Sequence, residues 1–209
     1  MHELPETLAC VSDVDCTGLQ ALVTGSTSGT GRAAALALGR LGADVIVHGR
    51  DGRTGREVLE ELSRTGADAT FVEADFADVD AVRDLATTVR AETDGLDLLV
   101  NNAGGLFRNG RLTDAGVEYT FHVDHLSPYL LTAELLDHLR EGARVVTTAS
   151  DAHEGVSLDL ERVRGVDPYT GFEAYRHSKL ANVLFAAERD GRSVAAGDRT
   201  ARATPDPPE

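Results

Sequence analysis

Gln20-Ala21-Leu22-Val23-Thr24-Gly25-Ser26-Thr27-Ser28-Gly29-Thr30-Gly31 is the stretch that decides the fold of this chain. Residues 20–24 form an apolar run of strand length, and residues 30–40 carry an alanine-rich helical pattern. Glycines between a strand and a helix permit a tight turn. They also let backbone amides approach a pyrophosphate, which the partial positive charge of the helix N-terminus attracts. An isolated glycine-rich turn would look the same. Its place directly between strand and helix favours a dinucleotide-binding loop made of Thr24, Gly25, Ser26, Thr27, Ser28, Gly29, Thr30 and Gly31. A nucleoside-triphosphatase loop is excluded, because it needs Gly-Lys-Ser/Thr and no lysine occurs here.

Outward from this loop the alternation continues. Residues 44–48 read as a second strand, 69–73 as a third, 96–100 as a fourth and 144–148 as a fifth. Helical patterns cover 52–65, 77–93, most of 113–140, and 171–189. Such alternation means parallel strands joined by right-handed crossovers. The expected fold is therefore α/β: a doubly wound parallel sheet, Rossmann-like, with helices on both faces. Residues 1–17 read as a polar lead-in, 18–189 as the dinucleotide-binding domain, and 190–209, which has no apolar period, as a disordered tail.

Composition narrows the function. With 42% apolar and 26% charged residues the chain reads as soluble and globular. Its net charge of −15 argues against nucleic acid or an anionic membrane as partner, since both are polyanions. Cys10 and Cys16 lack histidines at ligand spacing, so no metal site is expected and they read as free thiols of a reducing compartment. The start has no signal-peptide form and no apolar run reaches membrane-span length, which makes the cytoplasm the default location.

Two positions speak to cofactor and chemistry. After the second strand, where an acid would bind free ribose hydroxyls, the chain has Gly49 and then Arg50, a residue suited to a 2′-phosphate. NADP is favoured, and the neighbouring Asp51 keeps NAD open. The one lysine of the chain, Lys179, lies four residues after Tyr175. Residues i and i+4 share a helix face, so phenol and ammonium point into the same space. Moving a tyrosine from about pH 10 to about 7 takes roughly 4 kcal/mol, part of which a fixed cation supplies.

Together these motifs resemble the short-chain dehydrogenase/reductase family, in its retinol-dehydrogenase-like branch, from about Gly18 to Arg189. The family's Thr-Gly-x-x-x-Gly-x-Gly matches Thr24 to Gly31, and its Asn-Asn-Ala-Gly matches Asn101, Asn102, Ala103 and Gly104. Its adenine-contacting Asp-apolar pair matches Asp75 and Phe76, its catalytic serine Ser150, and its Tyr-x-x-x-Lys Tyr175 and Lys179. The resemblance implies an oxidoreductase moving a hydride between NADP(H) and a small alcohol or carbonyl substrate. Tyr175 would exchange a proton with the substrate oxygen, Lys179 would stabilise the phenolate and hold the nicotinamide ribose, and Ser150 would hydrogen-bond that oxygen. It also implies a homodimer through the long helix and the Tyr-Lys helix.

Two departures stand out. Where the family has a catalytic asparagine this chain has Asp124, which as an anion offers no donor and opposes a lowered tyrosine pKa. Nothing after Asp190 matches the family's later strands or its substrate-covering segment. The expectation is a truncated chain whose fifth strand carries an unpaired apolar edge at Val145 and Val146. A catalytically impaired remnant that binds dinucleotide and joins a full-length relative is the alternative.

Overall fold

The structure, a computed structural model, describes residues 4–167 and 170–195. Five strands, β1 (Gln20–Val23), β2 (Asp44–Gly49), β3 (Ala69–Glu73), β4 (Leu96–Asn101) and β5 (Leu139–Thr147), form one sheet in the order β3-β2-β1-β4-β5. Every pairing is parallel. Parallel strands need covering on both faces, so their sequences are apolar runs and not alternations. In β1, Ala21, Leu22 and Val23 are all buried, and Leu22 lies level with Ile46 on one side and Leu99 on the other.

Helices fill both faces. One core joins Val23, Val45 and Val47 to Ala35 and Leu36 of α2 (Gly29–Arg40) and to Val58 and Leu62 of α3 (Gly52–Ser63). The opposite core joins Leu22 and Leu99 to Val82, Leu85 and Val89 of α4 (Val79–Glu92) and to Leu131 of α6 (Ser127–Glu134). Asp51 and Asp78 start α3 and α4 by accepting the orphan first-turn amides, Asp51 from Arg53 at 2.8 Å and Asp78 from Asp80 at 2.9 Å.

The structure moves three of the expected boundaries. The helical stretch expected over most of 113–140 starts at Tyr119: Thr113 N–H bonds the Val117 carbonyl (2.9 Å), and Gly116 takes a left-handed φ of +69°. Glu118 then caps α5 (Tyr119–Phe121), accepting from Thr120 at 2.9 Å and Phe121 at 2.8 Å. A π-helical turn, His122–Leu126, leads into α6, and a 3₁₀ turn, Leu136–His138, ends the stretch. The fifth strand therefore begins at Leu139, level with Leu96, and slips register through an irregularity before Arg144 meets Leu98. Gly142, at φ +79°, lies within the slipped segment. Finally, α7 (Gly171–Ala195) continues past Asp190, into the stretch read as tail; the remainder of that stretch, 196–209, lies outside the described residues.

The lead-in is also more than a polar arm. Its short helix α1 (Pro5–Leu8) buries Glu6 against Arg40 of α2, and Cys16 is buried with its amide bonded to the Leu41 carbonyl at 2.8 Å. Both thiols are free, Cys10 being exposed. Among the described residues β5 pairs only with β4, and Val146 is 48% exposed on that strand.

Leu99 tests the sheet centre, because it is fully buried between Leu22 of β1 and Val145 of β5. Leu99→Ala should lower unfolding free energy by about 2–5 kcal/mol in urea titrations, since transfer and cavity costs add. A loss below about 0.5 kcal/mol, the range of neutral surface changes, would contradict this packing.

Candidate functional site

The strand order reverses between β1 and β4, so the loops leaving their carboxyl ends diverge and open a crevice. Its volume is about 360 Å³. The two loops meet backbone to backbone. Gly25 holds φ +63°, and a Cβ there would sit 2.7 Å from the Cα of Ala103. Thr24 Oγ1 accepts the amides of Asn102 and Ala103, each at 3.0 Å, while Asn102 Nδ2 returns a bond to the Thr24 carbonyl at 3.0 Å. A Cβ on Gly31 would strike the Asn102 amide and the Gly25 carbonyl, so that helix turn has to be glycine.

The motif residues divide into those that line the crevice and those that hold it. Gly25, Thr27, Ser28, Gly29, Thr30, Gly31, Arg50, Phe76, Asn102, Ala103 and Gly104 line it. Ser28 is the N-cap of α2 but its side chain makes no cap bond, which leaves the first-turn amides for a ligand. Thr24, Ser26 and Asn101 are buried scaffold: Ser26 Oγ donates to the Val23 carbonyl (2.6 Å), and Asn101 Nδ2 donates to Thr132 Oγ1 (2.9 Å). Asp75 is exposed and accepts the Ala77 amide at 2.9 Å, a turn-forming contact. Arg50 Nη1 donates to Tyr119 Oη at 3.3 Å, and Arg111 stacks on the same ring, its Cζ 3.8 Å from the centroid. Two guanidiniums thus converge on one phenol.

At the far end α7 brings Tyr175 and Lys179 to the same wall. Lys179 is 3% exposed, its Nζ 5.4 Å from the Tyr175 ring centroid. The ammonium donates to the Thr148 carbonyl at 3.2 Å and lies 3.8 Å from Asp124 Oδ2. Asp124 is 1% exposed and also accepts the Gly105 amide (2.8 Å) and the Ser178 hydroxyl (3.2 Å). Burial pushes its carboxyl up to about 6, although Lys179 and these hydrogen bonds pull it back. Ser150 lies just past β5, where its Oγ accepts the Ala152 amide at 3.3 Å and caps the 3₁₀ turn Asp151–His153. It does not line the crevice, although Thr148 does.

Sequence reading passed over His48, Gly105, Thr148, Ser178, Arg111 and Tyr119. Only His48 left a signal, as a polar residue ending an otherwise apolar strand. The others act through backbone groups or distant contacts, which carry no residue-type signature.

This sheet, with a glycine-built crevice at its switch point, defines a dinucleotide-binding α/β protein. The family model for short chain dehydrogenases matches residues 20–190, and the chain belongs to that family. It is similar to retinol dehydrogenase 11 of Mus musculus, 36% identical over 195 residues, which cover 91% of this chain and 62% of that protein. The chain thus spans about three-fifths of the length of such curated relatives. Among solved structures, an uncharacterized protein from Mycobacterium paratuberculosis superposes with a TM-score of 0.78 at 36% identity, covering 90% of this chain and 67% of that one. A short chain dehydrogenase from Burkholderia cenocepacia J2315 in complex with NADP gives 0.70 at 30% identity, covering 87% and 69%.

The raised carboxyl of Asp124 makes stability depend on pH. Between the ordinary value of 3.8 and about 6 the folded state holds the proton more tightly than the unfolded one, so stability falls as pH rises through that window. Asp124→Asn has no such proton. Its unfolding free energy relative to the parent chain should therefore climb between pH 4 and pH 8 by up to about 3 kcal/mol, two steps of about 1.4 kcal/mol per unit. Urea titrations across that range check this, and a constant difference would remove the buried-carboxyl account.

Proposed function

We propose that this chain forms the cofactor-binding and catalytic core of an NADP(H)-dependent oxidoreductase that interconverts an alcohol and a carbonyl. The observation that carries the reading is Tyr175 and Lys179 lining one crevice with the free first-turn amides of α2. Membership in the short chain dehydrogenase family and likeness to a retinol dehydrogenase support the reaction class. The NADP held by the Burkholderia cenocepacia relative supports the cofactor.

The residues present fit such a cofactor. Gly25, Gly29 and Gly31 keep side chains out of the phosphate path, and the α2 amides face it. Arg50 and Arg111, both near Tyr119, bring positive charge to the side where a 2′-phosphate would sit. Phe76 offers an apolar face for adenine. The nicotinamide supplies or accepts the hydride when the cofactor is bound.

Tyr175 then acts on the substrate oxygen, donating its phenolic proton in reduction and taking one in oxidation. Lys179 stabilises the phenolate, but the Asp124 carboxylate shares its charge. Protonation of Asp124 near pH 6 would free the ammonium for that task. Ser150 Oγ only accepts in its cap, so its own proton remains to be donated to the substrate oxygen. A homodimer through α6 and α7, where Tyr129 is half exposed beside Phe185, belongs to the same proposal.

NADPH consumption against a panel of aldehydes and ketones tests the reading directly. Tyr175→Phe should cut kcat by at least about 100-fold, the usual worth of a positioned proton donor, with NADPH binding within a few-fold of the parent chain. Asp124→Asn should raise turnover at pH 7 by several-fold, and an unchanged or lower rate would count against the role given to Asp124. Arg50→Ala should weaken NADPH by about tenfold, equal to 1.4 kcal/mol, and leave NADH within twofold. Equal loss for both dinucleotides would remove the 2′-phosphate assignment.

A further inference from the structure

His48 occupies an unusual place for a titratable residue. It sits one position before the end of β2, 2% exposed, with its ring stacked on Phe76 at 4.5 Å between centroids. Both ring nitrogens meet backbone groups. Nδ1 lies 3.1 Å from the Gly25 amide, which can only donate, and Nε2 lies 3.2 Å from the Ala74 carbonyl, which can only accept. The two partners therefore select one neutral tautomer, bare at Nδ1 and protonated at Nε2. Burial keeps it neutral and moves its pKa down to about 4.

The backbone around it is tied to the same loop. His48 N–H donates to Ser26 Oγ at 3.0 Å, and Ser26 N–H donates to the His48 carbonyl at 2.9 Å. Next along, Gly49 packs so closely on Thr27 that a Cβ would come within 2.7 Å of its Oγ1. These contacts hold Ser26 and Thr27 to the end of β2 without help from the imidazole. Among the described residues it is the imidazole that accepts the amide of Gly25, the residue whose left-handed φ turns the chain toward the first-turn amides of α2.

We infer that His48 is a positioning residue for the phosphate loop: as a hydrogen-bond acceptor it fixes the Gly25 peptide and so aims the loop at a dinucleotide pyrophosphate. It acts through Gly25, and its contribution is preorganisation of the loop before the ligand arrives. The inference rests on the dinucleotide-binding reading above. It adds to that reading a residue outside the glycine motif, on a neighbouring strand, that sets cofactor affinity without entering the chemistry.

Three variants separate positioning from mere stability. His48→Asn keeps an acceptor oxygen near the place of Nδ1, His48→Gln moves the polar group out toward the place of Nε2, and His48→Phe keeps the stacked ring with neither. Dissociation constants for NADPH, read by its fluorescence, should rise about tenfold for Phe and for Gln and stay within about threefold for Asn. The NADPH KM should follow the same order while kcat at saturating cofactor stays within about twofold, and thermal midpoints should not follow it. If affinity tracks the thermal midpoint across the three, or if Asn binds no better than Gln, the inference is overturned. Should His48→Phe fail to fold, the order of Asn and Gln decides alone. Failure of the parent chain to bind either NADPH or NADH would instead overturn the functional reading, which this comparison tells apart from failure of the His48 role.

Discussion

The contact between the loops leaving β1 and β4 governs the rest of the molecule. Gly25 lies so close to Ala103 that no side chain fits between them, and Thr24 Oγ1 gathers the amides of Asn102 and Ala103. Buried amides without partners are costly, so these bonds do more than decorate the loop. They hold two segments separated by most of the sheet's sequence at van der Waals distance. The crevice exists because the backbones meet there and then part, β1 running into α2 and β4 turning away toward α5. Any residue larger than glycine at position 25 would push the walls apart and lose the amide cradle together with the contact.

Charge is arranged in two tiers around that crevice. Overall the chain is strongly acidic, at −15, a field that repels polyanions at long range. Locally, the helix terminus, Arg50 and Lys179 line a wall of opposite sign. Short-range preorganised groups outweigh a screened distant field, because the Debye length is only about 8 Å at physiological salt. The buried Asp124–Lys179 pair complicates the far end. Two charges at 3.8 Å in a dry site cost desolvation that their attraction only partly returns. Gly105 and Ser178 supply the hydrogen bonds that make the carboxylate tolerable, and the Thr148 carbonyl does the same for the ammonium.

Legibility in the sequence followed periodicity. Strands β1, β2 and β4 were readable because each is a compact apolar run that stops at or near a glycine or asparagine, as strands covered on both faces do. The half-buried edge strand β3 was readable from its short Thr-Phe-Val run. Within 113–140 the helical character was legible but its ends were not, because apolar residues at helical spacing also occur in turns and slipped strands. Glu118 looks like any exposed helical acid in sequence, yet it is a buried cap that decides where α5 begins. The slipped start of β5 depends on pairing with β4, an interaction between distant segments that no local pattern announces.

What the sequence determined on its own was the set of chemical groups and their order: a glycine loop after a strand, a double asparagine, and one lysine a helical turn beyond a tyrosine. Those follow from local geometry, since helix pitch and glycine φ are properties of short segments. Only the tertiary structure decided which groups face the crevice. Thr24, Ser26 and Asn101 turned inward as scaffold, Ser150 became a cap, and His48, silent in the motif, came to hold Gly25. It also paired Lys179 with Asp124, residues far apart in the chain. The physical reason is that each buried polar atom must find a partner wherever packing places one, and packing is settled by the whole sheet and not by any single motif.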